Sequence, residues 1–563
     1  MSERGVPEPK SSRSLSTAWV AIGLVALLAL CAARLLHAVE RNTFTVDEPH
    51  YVGTALYLWD TGDYHYRDSL RFHPPLAYHL AGLPLLALDI DPLERTPTLG
   101  GRLLRGPDPP PQLVRRLSRL PFVLLTCWGG ILVFAWAREA AGNTAALLAL
   151  FLVTFSPSML GYGGLAHSDI VVTVLYFQTL YTFWRWWRRT TPARFAVCGI
   201  SLGLALLAKL SALLLLPTLA ILLLGMALGW PPPLAAPAVV AERPISRRIA
   251  WSVTRLAGLL AIALVVLWLG YGGSFASVEI ERGPWAGLTA PGYVQAMLFD
   301  FDANTRTRPI YFLGEILTGG APWYVLPVVF LLKTPLPVLA LLVLAIGTRP
   351  SGSAGGLGLF LGIPILVFAL VACFVLQVPL GLRYVLPIYP LLHLFVATRL
   401  APALPGWRLP ALLAAGVWLA WSSLSIHPHY LAYFNQLAGG PARAHRYVVE
   451  SNLDWGQDLG TLARYLQARG NPPVQLAYFG PERPENYGII ATRLRGCEPV
   501  TGIVAVSATL LRGVYALNNL FRTAPAGCFD WLLEREPVAQ PGFSILVYEL
   551  PEAEARAADA GPE

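Results

Sequence analysis

The sequence predicts a polytopic α-helical membrane protein with a small α/β domain at its C-terminal end. Three observations carry this. Of 563 residues, 55% are hydrophobic and only 13% are charged. About eleven apolar runs reach or approach the roughly 20 residues needed to cross a bilayer. After residue 426 the long apolar runs stop, and short β-type runs replace them. In such a chain the formal net charge of +8 is no nucleic-acid footprint, because Lys and Arg in short loops set topology.

The first run, 17–38, follows a 1–16 tail holding Arg4, Lys10 and Arg13. No small-residue cleavage site follows it, and Leu30 before Cys31 suits a lipoprotein site poorly. It therefore reads as a retained helix with a cytoplasmic N-terminus. Further spans are expected near 117–137, 144–160, 169–186, 195–209, 212–229, 252–271, 325–347, 357–377, 384–401 and 409–426. Lys333 and Pro335 interrupt the run 325–347. "RWWRRTTPAR" (185–194), "AERPISRR" (241–248) and "TRLAPALPGWR" (398–408) are short and basic, and alternating spans place all three in the cytoplasm. Segments 39–116, 272–320 and 427–563 then lie outside. Asp47, Glu48 and the C-terminal domain are therefore expected to face the periplasm or its equivalent.

Segment 39–116 is more than a loop. Val52, Leu56 and Trp59, with Tyr51 and Ala55 beside them, recur at helical spacing. "PPLAYHLAGLPLLAL" (74–88) is a second apolar stretch too short to span. Both read as interfacial helices, and 95–112 reads as a Gly/Pro loop. In the domain expected over 427–550, 458–469 is an amphipathic helix and 474–480, 502–508 and 543–550 are strands. Residues 551–563 are Ala/Glu-rich and read as disordered. Cys31, Cys127, Cys198 and Cys373 fall in apolar runs and read as small buried hydrophobes. Cys497 and Cys528 share the polar tail and are a disulfide candidate if that tail lies outside the cytoplasm.

Asp47 and Glu48 stand just beyond the first span. A solvated acidic pair at a helix end is common, but ionised groups beside hydrocarbon are costly and tend to be functional. A carboxylate there can act as general base on an acceptor arriving from water. Asp169, two residues after His167, opens another span on the same side. It reads as a helix N-cap or as a second active-site acid. Lys209 lies where two spans meet, Arg383 opens a span with Tyr384 beside it, Lys333 interrupts the run 325–347, and Arg306 and Arg308 lie in "NTRTRPIYFLGE" of the outer segment 272–320. Each cation could simply snorkel. Together they could hold a lipid phosphate and stabilise it as a leaving group. His73 could bind phosphate or sugar, or end a turn. His427 and His429 offer a metal no third ligand, so no cofactor is certain and a divalent metal is left open. Neither a P-loop nor GxGxxG follows a strand, so a soluble nucleotide has no visible pocket.

In order along the chain, "DEPHY", "HPPLAYHLAGLPL", "AHSD", "GLALLAKLSALLLLP", "PIYFLGE", "PWYVLPVVFLLKTPLP", "GLRYVLPIYP" and "YFNQLAGGPARAHRYVVESNLDWGQDL" resemble the protein O-mannosyltransferase-like superfamily, glycosyltransferase family 39. The match is to a bacterial branch with a C-terminal extracytoplasmic domain. The resemblance implies a bacterial inner membrane, the GT-C membrane fold, a polyprenyl-phosphate-linked sugar as donor, and inversion at the anomeric carbon. It implies Asp47 as base with Glu48 beside it, Asp169 as second acid, and Lys209, Lys333 and Arg383 on the lipid phosphate. Some relatives have Lys where this chain has His73, which is only partly charged near neutral pH. The acceptor, whether protein, lipid or glycan, stays open, and no nucleic acid is implied. The competing reading is a transporter or flippase of a lipid-linked sugar, which would place polar groups at the bilayer midplane in paired halves. A membrane scaffold displaying the tail is a third reading, and it leaves Asp47, Asp169 and Arg383 unexplained.

Overall fold

The computed structural model describes residues 17–62, 64, 73–88, 90, 109–230, 242–273, 277–279, 285–305, 309–348, 354–377, 381–403, 408–494, 497–513 and 527–551. The first apolar run is α1 (Thr17–Arg41). The two expected interfacial helices follow as α2 (Glu48–Thr61) and α3 (Leu76–Gly82), the latter continued by a 3-10 turn, Leu83–Ala87. Pro49 in the first turn of α2 suits a helix start, where its missing N–H costs nothing. Gly62, at φ 64°, ends α2 in the left-handed conformation.

The span expected at 117–137 and most of the one expected at 144–160 fall within one helical range, α4 (Pro111–Thr154). It is broken at Gly142, whose φ of 86° is unhelical and favours glycine. A Cβ on Gly130 would lie 3.1 Å from Leu150, so the chain folds back there into two antiparallel arms. Next come α5 (Pro157–Gly163), α6 (Ser168–Arg188), α7 (Pro192–Ala208), α8 (Leu215–Ala227) and α9 (Ile245–Gly270). Two short hairpins, β1 (Ser277–Glu279) with β2 (Thr289–Pro291) and β3 (Ile310–Phe312) with β4 (Glu315–Leu317), flank α10 (Gly292–Thr305). The run interrupted by Lys333 and Pro335 becomes two helices, α11 (Val325–Lys333) and α12 (Leu336–Gly347), bent by 109°. The last apolar helices are α13 (Ala354–Phe374), α14 (Ile388–Leu400) and α15 (Arg408–Ser425).

Every expected run is thus helical. Among the described residues, five helices are long and apolar enough to cross a membrane, or six if the bent pair is one span. Their outward side chains include Val25, Leu124, Val253, Val343 and Leu366, all exposed apolar groups that suit lipid. The one arginine buried in α1, Arg34, would be costly unpaired. It donates instead to Thr154 O (3.0 Å), Ser423 Oγ (2.6 Å) and the Tyr430 hydroxyl (2.8 Å), tying α1 to α4, α15 and the tail.

The tail sheet is built from β5 (Val474–Ala477), β6 (Ala491–Arg493), β7 (Gly502–Ser507) and β8 (Ile545–Leu550), in the order β6-β5-β7-β8. β5 runs parallel to β6 and β7, and β8 is antiparallel to β7. Helix α16 (Leu459–Gln467) lays Leu459, Leu462, Ala463 and Leu466 on this sheet, against Val474, Leu476, Ala505, Ile545 and Val547. That spacing is one face of a helix. Each leucine so buried contributes about 2 kcal/mol. β6 was not foreseen, because three residues with a half-exposed pattern carry no periodic signal.

Cys497 and Cys528 are bonded to each other. A loop of this size stabilises by on the order of 3 kcal/mol in the chain-entropy model. Unreduced mass mapping of native protein is expected to return one linked peptide pair. Two free thiols would remove the bond.

Candidate active site

Four helix ends meet on the side where α1 finishes. Asp47 follows α1 and immediately precedes α2. His167 and Asp169 stand at the start of α6, Lys209 directly follows α7, and Arg383 lies in the 3-10 turn Leu382–Val385 before α14. Helix ends put short, rigid segments in one plane, so five charged or titratable side chains converge there.

The geometry is a relay of alternating sign. Arg383 Nη1 lies 3.2 Å from Asp47 Oδ2 and 3.3 Å from His167 Nε2. His167 Nε2 is 3.4 Å from Asp47 Oδ2, and its Nδ1 is 2.8 Å from Asp169 Oδ2. Lys209 Nζ is 2.6 Å from Asp169 Oδ1. His167 Nδ1 also lies 3.4 Å from the Asp169 amide as an N-cap acceptor. His167, not Asp169, occupies the N-cap position of α6, and its Nδ1 faces both the Asp169 amide and the Asp169 carboxylate.

The two acids differ in access. The Asp47 side chain is 38% exposed and that of Asp169 is 1% exposed. Asp169 is the inner charge that Lys209 and His167 compensate. Asp47 is the one a water-borne molecule can reach. Crowding by protein works against its ionisation. The His167 hydrogen bond and the Arg383 charge outweigh that and hold its carboxyl well below the usual range. For His167, burial favours the neutral ring, but the Asp169 charge and hydrogen bond raise its pKa above the ordinary 6.5. His73 is close, its ring 6.0 Å from those of His167 and Tyr51. Burial and the Lys209 charge push its pKa well below 6.5. It is therefore neutral near pH 7 and gives no cation to a phosphate. Tyr384 flanks the cations, with Lys209 Nζ 5.2 Å from its ring centre.

Other expected site residues lie elsewhere. Glu48 turns away from the relay and is fully buried. Its carboxylate accepts from Arg119 Nε (2.7 Å) and Nη2 (2.6 Å), the Ala166 amide (2.8 Å) and the Thr45 amide (2.8 Å). Burial opposes this charge, and the Arg119 pair lowers its pKa nonetheless. Lys333 is buried at the α11 bend and donates to the carbonyls of Leu431 and Asn452. A cation facing two backbone carbonyls ties down the tail and does not reach the relay. Arg306 and Arg308 lie outside the described residues. His427 and His429 diverge: the first meets His37 at 2.6 Å, the second Asp458 at 2.9 Å. Among the described residues no group of three or more His, Cys, Asp or Glu is placed to hold a metal ion.

Three contributors were not assigned from sequence. His167 was visible only as a neighbour of Asp169. Arg119 sits in an ordinary apolar span, with nothing local to mark it. Trp455 comes from the tail, and its ring lies 4.5 Å below the Arg383 guanidinium and 5.2 Å from the His167 ring.

The raised pKa of His167 has a pH consequence. Between 6.5 and the higher folded value, the folded protein binds more protons than the unfolded chain, so stability falls as pH rises. The contribution of His167 is complete below about 6.5 and is lost through its folded pKa. In detergent, the thermal midpoint of wild type minus that of His167→Gln is expected to shrink as pH rises across this window. A difference that grows with pH would reverse the assignment.

Comparisons with known proteins bear on the same segments. The family described as dolichyl-phosphate-mannose-protein mannosyltransferase matches residues 115–270. A search of curated protein sequences returns no match. Among solved structures, ArnT from Cupriavidus metallidurans bound to undecaprenyl phosphate is 13% identical, with a TM-score of 0.47, over 98% of this chain and 100% of that one. The Archaeoglobus fulgidus oligosaccharyltransferase in its apo form is 13% identical, with a TM-score of 0.47, over 92% of this chain and 72% of that one. The S. cerevisiae protein O-mannosyltransferase Pmt1-Pmt2 complex bound to the sugar donor is 18% identical, with a TM-score of 0.35, over 54% and 40%. From Arg115 in α4 to Gly270 at the end of α9, the chain matches the dolichyl-phosphate-mannose-protein mannosyltransferase family, in agreement with the resemblance its motifs carry.

Proposed function

We propose that the protein is an integral-membrane glycosyltransferase. It moves a sugar from a polyprenyl-phosphate donor to an acceptor hydroxyl at the extracytoplasmic face. The observation that carries this reading is the relay itself: one accessible carboxylate, Asp47, lies 3.2 Å from a buried arginine at the ends of membrane helices. A lipid-anchored anion can reach Arg383 and Lys209 from the bilayer side. A hydroxyl can reach Asp47 from water. The match to a family named for a lipid-phosphate-mannose donor supports the same class.

The step is a single displacement. The acceptor oxygen gives its proton to Asp47 and forms a bond to the anomeric carbon. The bond from that carbon to the phosphate oxygen breaks, and polyprenyl phosphate leaves with the electron pair. The configuration inverts, because nucleophile and leaving group occupy opposite faces. A base works best with a pKa near the working pH, and Asp47 is held low by Arg383. A donor phosphate that draws Arg383 onto itself relieves that hold, so Asp47 gains basicity once donor is bound. Charge-assisted hydrogen bonds from Arg383 and Lys209 then stabilise the departing phosphate.

The lipid-linked sugar transporter predicts a polar site near the bilayer midplane, whereas this relay sits at helix ends. The positive-inside bias of the basic loops supports an outer-face location shared with the C-terminal domain. The test is transfer in proteoliposomes from a labelled undecaprenyl-phosphate sugar to added acceptor lipid, glycan or peptide. A new labelled glycoside with inverted configuration is expected. Translocation of intact donor without transfer would replace this reading with the transporter.

A further inference from the structure

The tail turn from Glu450 to Asp458 lies between the sheet and the charged relay. On the sheet side it is anchored by side chains. Asp454 accepts from the Thr509 amide (2.9 Å), Thr509 Oγ1 donates to Asp454 O (3.0 Å), and Ser544 Oγ donates to Asp458 (2.7 Å). Thr509 follows β7 and Ser544 precedes β8, so the turn inherits the rigidity of two paired strands.

On the relay side the same turn holds both charged loops. The amides of Thr43 and Val46 donate to the carbonyls of Gln457 (2.8 Å) and Trp455 (2.9 Å), and Thr43 Oγ1 donates to Gly456 O (2.8 Å). These bonds fix the four residues directly ahead of Asp47. The Leu382 amide donates to Asn452 Oδ1 (2.9 Å), which fixes the residue directly ahead of Arg383. Packing there is close, since a Cβ on Gly381 would lie 2.6 Å from that same oxygen. Trp455 is 1% exposed and stacks on the Arg383 guanidinium. Arg383 Nε is buried without a hydrogen-bond partner among the described residues. The orientation of the guanidinium therefore depends on its Nη1 contacts and on two rings, Trp455 at 4.5 Å and the more distant Tyr384 at 5.6 Å.

We infer that Asn452 and Trp455 are positioning residues of the transferase site, through which the C-terminal domain sets the separation and orientation of Asp47 and Arg383. The inference rests on the functional reading above. A membrane domain alone would then leave both charged loops without their support, and the tail is part of the active chamber.

Two measurements test it. Transfer kinetics come first. Trp455→Ala is expected to lower kcat/KM about 30-fold, the size of a desolvated cation–π contact. Trp455→Phe keeps an aromatic face and is expected to lose only about 3-fold. On an Arg383→Lys background, which lacks the planar group, Trp455→Ala should cost less than about 3-fold, because residues that act through one another are not additive. Equal costs on both backgrounds would overturn the role. Hydrogen exchange comes second and needs no substrate. Asn452→Ala and Trp455→Ala should speed exchange in 43–48 and 381–385 while leaving β5, β7 and β8 protected. Unchanged exchange in both loops would overturn the brace. If the wild type transfers nothing from a polyprenyl-phosphate sugar, the functional reading falls, and exchange still decides the brace.

Discussion

Asp47→Asn is expected to lower turnover by about 10²–10⁴-fold, the usual cost of losing a general base, while donor binding is kept. Asparagine preserves shape and volume but cannot take up the acceptor proton. It also frees Arg383 from its 3.2 Å counter-charge, so the cation becomes more available to a donor phosphate. Arg383→Ala should differ, weakening donor binding as well as turnover, because the phosphate loses a charge-assisted partner. Single-turnover transfer with saturating undecaprenyl-phosphate sugar separates the two. Near-normal transfer by Asp47→Asn, at matched folding, would remove Asp47 as the base.

Arg119→Ala is expected to destabilise the protein by about 3–5 kcal/mol, the cost of leaving one charge of a buried pair uncompensated. Glu48 and Arg119 are both essentially inaccessible, and the pair is closed by two contacts of 2.6–2.7 Å. Its effect on transfer is indirect but strong. Glu48 adjoins Asp47 in the chain and bonds the amide of Ala166, which adjoins His167. The buried carboxylate therefore sets the register between the two sides of the relay. The expected result is a lowered thermal midpoint in detergent and a loss of folded yield. Asp47→Asn should lower the midpoint less, because Asp47 is 38% exposed and Arg383 keeps the Asp169 charge 3.9 Å away. Replacing both partners, Glu48→Gln with Arg119→Met, should recover part of the loss, since no unpaired charge remains. An unchanged midpoint in Arg119→Ala would mean that water reaches the pair.

The sequence alone marked out the apolar helical runs, because run length is a local quantity. Among the described residues, five of the resulting helices, or six with the bent pair as one span, are long and apolar enough to cross a membrane. The sequence also determined α16 and the strands β5, β7 and β8, where apolar residues repeat at helical or strand spacing. Asp47, Asp169, Lys209 and Arg383 could be singled out one by one, since a charge at a helix end beside hydrocarbon is conspicuous. Only the tertiary structure decided which of them meet. Glu48 and Lys333 look equally conspicuous in the chain, yet each is consumed by a buried partner, an arginine in one case and two carbonyls in the other. His167 and Trp455 joined the site for the converse reason. A histidine before a helix and a tryptophan in a polar tail carry no periodic or charge signal. Their roles arise from a meeting of segments nearly 300 residues apart, which no local pattern encodes.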